Sequence, residues 1–168
     1  MSKKLVLALF LVIPFFAFSQ NTQIKLGHLD AQGLLLIMAK AENIEETIGK
    51  LSEQHENEMK RMQDELSRKL AEYKQGETTW DETIKQNRAE ELQTLDTKMQ
   101  NYYQTARRAL EQKQEELLTP LKDKLRKAIK EVGTENGFLY IFEDAVLLFK
   151  SEQAIDVTSL VNKKLGIK

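Results

Sequence analysis

Broken every eleven residues, the stretch from Ile44 to Tyr73 reads IEETIGKLSEQ, HENEMKRMQDE, LSRKLAEY. Ile44, Ile48 and Leu51 recur as His55, Met59 and Met62, then as Leu66, Leu70 and Tyr73, with His55 standing in for an apolar residue. A second set follows downstream: Ile84, Leu95, Ala106, Leu117 and Ala128 form one row, and Met99, Leu110, Leu121 and Val132 form the next, which Arg88 opens. Eleven residues make three helical turns at about 3.67 residues per turn, which favours straight or slightly right-handed packing over a left-handed supercoil. The stripe is too narrow to be the face of a globular core helix. Between Ala41 and Val132 the chain has one proline, Pro120, and two glycines, Gly49 and Gly76. The pattern predicts two long helices packed mainly on each other over 41–132. Their seam is expected to hold Ile44, Ile48, Leu51, Met59, Met62, Leu66, Leu70, Leu95, Met99 and Leu110.

The fold-back is expected near 74–80. Gly76 can take the left-handed conformation that ends a helix. Thr79 and Glu82 have the spacing of a capping box, and Asp81 suits the positive end of the returning helix. Trp80, the single tryptophan, is expected to pack across the turn. Pro120 lacks the donor for the bond four residues back and is expected to kink the return leg.

The outer parts of the chain set its compartment and its base. Lys3 and Lys4 precede the apolar run Leu5–Phe18, and Ala17-Phe18-Ser19 offers a cleavage site. Residues 1–19 therefore read as a secretory signal peptide that is removed, because the run is shorter than the ~20 residues of a spanning helix. With no cysteine, the exported fold has no disulfide. The mature chain carries 23 basic and 26 acidic residues, which argues against a nucleic-acid partner. The hairpin segment 41–118 holds 12 basic and 18 acidic residues, whereas 119–132 holds five basic and two acidic ones.

Ile24-Lys25-Leu26-Gly27-His28-Leu29 alternates like a short strand, with Ile24, Leu26 and His28 on one side. Asp30 is a plausible N-cap for a leucine-rich helix over 31–39, apolar nearly all round and expected to be buried. After Glu135-Asn136-Gly137 ends the long helix, the runs 138–142 and 146–149 predict an antiparallel β-hairpin covered on both faces. Asp156 is expected to cap a last helix over 157–165, with Gly166 just past its end. Residues 20–40 and 133–168 thus form a small β body. A body of roughly 50 residues without disulfide or metal rarely stands alone. Oligomerisation through its strands is the economical solution, with Ile24, Leu26, Leu139, Ile141, Val146 and Leu148 as the contacting residues. A monomer with its helices folded back over the strands is the alternative.

This order of elements resembles the Skp/OmpH family of periplasmic chaperones for outer-membrane proteins. The resemblance rests on the strand ending Leu29-Asp30, the hairpin with its Lys-Gln-Gly turn at 74–76, Asn136-Gly137-Phe138-Leu139-Tyr140-Ile141-Phe142, and Ile155-Asp156-Val157-Thr158. It implies an α+β, mainly α fold: a long helical hairpin, or tentacle, on a β body that trimerises through a shared barrel. It also implies an ATP-independent holdase that keeps unfolded outer-membrane proteins between its tentacles, in the periplasm and with no cofactor. The net acidic hairpin departs from the basic tentacles of the best-known members, so no lipopolysaccharide or membrane-surface site is carried over. The client-binding residues are left open.

Enzymatic readings have little to stand on. His28 and His55 are the two histidines, and no phosphate loop, nucleophile elbow or zinc-binding His-Glu-x-x-His spacing accompanies them. The carboxylate pairs lie on exposed helices, without the desolvated cleft that tunes a pKa. A second non-enzymatic reading is a periplasmic adaptor or stalk that docks its tip on an envelope complex. It would depend on Trp80, whereas a holdase would not.

Overall fold

The computed structural model describes residues 24–167; the expected signal peptide lies outside them. The chain is mainly helical α+β. Strand β1 (Leu26–Leu29) leads into α1 (Ala31–Ala41), and α2 (Ile44–Gly76) and α3 (Glu82–Glu135) form the hairpin. Strand β2 (Tyr140–Glu143), a 3-10 turn (Asp144–Val146), β3 (Ile155–Asp156) and α4 (Thr158–Leu165) complete the body.

Local sequence accounts for most element ends. Asp30 accepts from the Gly33 amide at 2.7 Å and caps α1. Asp81 accepts from the Ile84 amide at 2.9 Å and caps α3. Asp156 accepts from the Thr158 amide at 2.8 Å, so it caps α4 from two residues away, and the helix starts at Thr158 rather than at 157. Gly137 and Gly166, at φ 68° and 74°, supply the left-handed residues that follow α3 and α4. Asn43, at φ 53°, separates α1 from α2, so the outward helix begins at Ile44 and not at 41. Helix α3 runs unbroken through Pro120. Beside it the Thr119 hydroxyl donates to the Glu115 carbonyl at 2.8 Å.

The fold-back departs from expectation in its chemistry. Gly76 is not left-handed; it is the buried last residue of α2. It must be glycine because a Cβ there would lie 2.0 Å from Cε2 of Trp80. Its carbonyl accepts from the amides of Thr79 and Trp80, each at 2.9 Å, and from the Thr79 hydroxyl at 3.1 Å. Thr79 therefore closes the turn behind it, and no Thr79–Glu82 capping box forms. Trp80 packs edge-on to Tyr73, with ring centroids 6.1 Å apart.

The sheet corrects the expected β-hairpin. Its order is β2-β1-β3, and both neighbours run parallel to β1. Parallel neighbours cannot be joined by a tight turn. The connection from β1 to β2 is the entire helical hairpin. The segment after β2 must return along the sheet before β3 can start, so 146–149 is not a strand. The 3-10 turn reverses it, and Lys150 comes back to meet Asp144 at 2.8 Å.

One face of the sheet carries the core. Leu29, Leu34 and Met38 pack with Leu121, Leu125, Ala128 and Val132 of α3 and with Val157 and Val161, which are fully buried. Each leucine, valine and methionine among them contributes about 1.5–3 kcal/mol by leaving water. The lower part of α3 thus belongs to the body as much as to the hairpin. Helix α1 is buried on one side only, since Leu36 and Ile37 point outward.

The two hairpin glycines should respond oppositely to alanine. At Gly49 an added Cβ meets nothing within 4 Å, so Gly49→Ala should stabilise by up to ~1 kcal/mol through helix propensity. Gly76→Ala must displace Trp80 and should cost about 1–3 kcal/mol. Thermal melts of the two variants should move to opposite sides of the parent; two upward shifts would mean that the Trp80–Gly76 clasp carries no weight.

Candidate functional site

The sheet has one covered and one uncovered face. Parallel partners side by side point the same way, so the register sets Leu26 beside Tyr140, and His28 beside Phe142 and Asp156. Gly27, Leu29 and Ile141 turn inward. At Gly27 a Cβ would come within 3.0 Å of both Phe138 and Val157, so the strand sits flush on the core. On the uncovered side Leu26, Tyr140 (58% exposed) and Phe142 (38%) stand in the open, with the two rings 5.9 Å apart. Val146 (70%) and Phe149 (82%) of the return segment are exposed too, and Leu148 is fully so.

The residues expected to make contacts between chains are thus split. Ile24, Leu26 and Leu139 are exposed on or beside the strands, and Ile141 faces the core near Gly133. Val146 lies in the 3-10 turn and Leu148 in the return segment, not in strands. Tyr140, Phe142 and Phe149, which were not among those expected, are exposed as well, and the first two lie on the other parity of the run 138–142. His28 shares the side of Leu26 as expected, yet it is 6% exposed. Its Nδ1 lies 2.6 Å from Oδ1 of Asp144. Lys150, donating to Asp144, holds that carboxyl below its usual range, and His28 adds to the effect. Glu143 accepts from the Ala31 amide with both oxygens, at 3.2 and 3.0 Å, and so ties the end of β2 to the start of α1.

On the hairpin, Ile44, Met62 and Leu95 are buried. Ile48, Leu51, Met59, Leu66, Met99 and Leu110 are half-buried, and Leu70 is exposed. His55 Nδ1 meets the Tyr102 hydroxyl at 2.8 Å across the seam, and its Nε2 is buried without a partner. Tyr102 has no place in the eleven-residue rows, so periodicity could not identify it. Lys69–Glu91 joins the two helices at 3.3 Å. Most other hairpin ion pairs stay within one helix. Among the described residues no three His, Asp or Glu side chains could hold a metal, and no helix is long and apolar enough to cross a membrane.

A strand, a capped helix, a long charged hairpin and a parallel return to the same small sheet make a specific order. The family model described as Outer membrane protein (OmpH-like) matches residues 25–165, nearly all of the described chain. The chain belongs to the OmpH-like family. No curated protein matches it. Membership points to chaperoning of outer-membrane proteins in general, in a periplasmic family not known for enzymatic activity.

The ion pairs of the return segment set an acid limit. Because the Asp144 carboxyl is held below its usual value, it contributes stability above that value and loses it as pH falls through the lowered one. Asp144→Asn should therefore weaken the protein at neutral pH, and its deficit should shrink below about pH 4. Urea unfolding of parent and variant at pH 7, 5 and 3.5 reads this directly. A deficit that does not change with pH would show that the charge of Asp144 is not what holds the segment.

Proposed function

We propose that this OmpH-like protein is an ATP-independent periplasmic holdase. It assembles as a homotrimer through the uncovered face of its sheet and shelters unfolded outer-membrane proteins between its helical hairpins. Export by a signal peptide cleaved after Ser19 belongs to the same reading, as does the division into a β body (20–40 and 133–168) and a hairpin (41–132).

One observation carries it: a parallel sheet with helices on one side and aromatic residues bare on the other. All-parallel sheets occur almost only with both faces covered, and here the described return segment covers this face at His28 but leaves Leu26, Tyr140 and Phe142 exposed. Other copies of the chain are the economical cover, and the number three comes from the family resemblance. The α2 leg, 33 residues long, extends about 50 Å. Hairpins of that length rising from one body enclose a space in which a client would meet many weak contacts and no other client. The stalk reading is weaker because Trp80, its best anchor, is engaged with Gly76 and Tyr73.

Light scattering of the mature protein should give three times the chain mass. Phe142→Asp places a charge on the uncovered face, where it disturbs no intrachain core, and should give monomers with unchanged helicity. The parent should suppress aggregation of outer-membrane proteins diluted from urea without nucleotide, and the monomeric variant should do so poorly. A parent that is monomeric at micromolar concentration, or one that gives no protection, would overturn the reading.

A further inference from the structure

The proposed holdase needs a surface that holds clients, and one groove on the hairpin has the dimensions for it. Between α2 and α3 lies an open cleft of about 820 Å³. His55, Met59, Tyr102, Ala106 and Leu110 line it, and Tyr103 rises at its side, 56% exposed, between this cleft and a smaller one. The packing rows lose bulk here: His55 replaces an aliphatic residue, and Ala106 stands where the repeats before and after it in the same row have Leu95 and Leu117. The Nε2 of His55 is itself buried in the seam without a partner. Lys60 and Arg107 stand on the rim with Glu56 and Asp64, so both signs of charge are available.

We propose that this groove binds one face of an extended client segment with alternating aromatic and polar residues. The inference rests on the holdase reading and names its contact site. Strands of outer-membrane barrels alternate apolar and polar residues and carry aromatic girdles. In an extended chain the side chains of one face repeat every 6.6–6.8 Å or so. Helical positions four apart, such as Met59 and Gln63 or Tyr102, Ala106 and Leu110, repeat about every 6 Å. The two periods stay within about 2 Å over three repeats. From Ser52 to Ser67 the groove runs roughly 22 Å, enough for six or seven extended residues. Apolar side chains then enter between Met59, Tyr102 and Leu110, while the polar ones of the other face stay in water beside the mixed rim.

The probe is a dye-labelled nine-residue peptide alternating tyrosine with lysine and glutamate, compared with an isomer in which the tyrosines are contiguous. Fluorescence anisotropy with the full assembled protein should show the alternating peptide binding at least tenfold more tightly. Tyr103→Ala and Gln63→Trp, both at exposed positions, should each weaken it about tenfold with helicity unchanged, and Gln112→Trp on an outer position should not. A benzoylphenylalanine photo-crosslinker at position 63 should capture an unfolded outer-membrane protein, and one at position 112 should not. Equal affinity for the two isomers, equal effects of the tryptophans at 63 and 112, or capture at 63 of a second copy of this chain would each overturn the groove. If aggregation is suppressed equally by parent, Tyr103→Ala and Gln63→Trp, the groove alone falls; if the parent itself gives no protection while the peptide results hold, the holdase reading falls and the groove stands.

Discussion

Helices cover one side of a three-stranded parallel sheet, and on its other side, among the described residues, Leu26, Tyr140 and Phe142 stay exposed while the return segment reaches in at His28 through Asp144. The covered side draws its core from α1, α4 and the lower turns of α3, where Leu121, Leu125, Ala128 and Val132 recur at helical spacing. Because β1 and β2 are parallel, the chain between them must leave the sheet and return. Here that excursion is the whole hairpin, so the tentacle is an enlarged crossover. Helix α3 is one 54-residue rod shared by hairpin and body, and the body grips the hairpin through its lower turns.

The hairpin itself is held lightly. Its seam is mostly half-buried, and its surface ion pairs are worth between nothing and about 1 kcal/mol each. The buried base of α3 and the Trp80–Gly76 clasp close its two ends, and between them Met62, Leu95 and Ala106 are buried and His55 meets Tyr102 across the seam.

Features encoded within one helical turn were legible in the sequence. The eleven-residue rows located the legs, and Asp30, Asp156, Gly137 and Gly166 marked ends where the backbone needs a cap or a left-handed residue. Pairing of distant segments was not legible. The run 138–142 followed by 146–149 looks like a β-hairpin because nothing local says that β1, more than 100 residues earlier, takes the first run as a parallel neighbour. That error hid the exposed parity, Tyr140 and Phe142, behind Leu139 and Ile141. Gly76 was noticed for the wrong property, since its lack of a side chain matters and its freedom of φ does not. Tyr102 left no periodic trace, for its role is a hydrogen bond across the seam.

The acid excess of the hairpin bears on how it would capture clients. Part of its charge is used within its own helices: Glu46 with Lys50, Glu58 with Arg61, Arg68 with Glu72 and Arg107 with Glu111. Paired in this way, opposite charges a few ångströms apart present short-range fields that fade within a Debye length of about 8 Å at physiological salt. Eighteen acidic against 12 basic residues still leave 41–118 net negative, so steering would not favour an acidic client, and under the proposed reading contact supplies the affinity. Under the proposed reading, the gap at His55 and Ala106, where the eleven-residue rows run short of bulk, is where the hairpin would receive another chain.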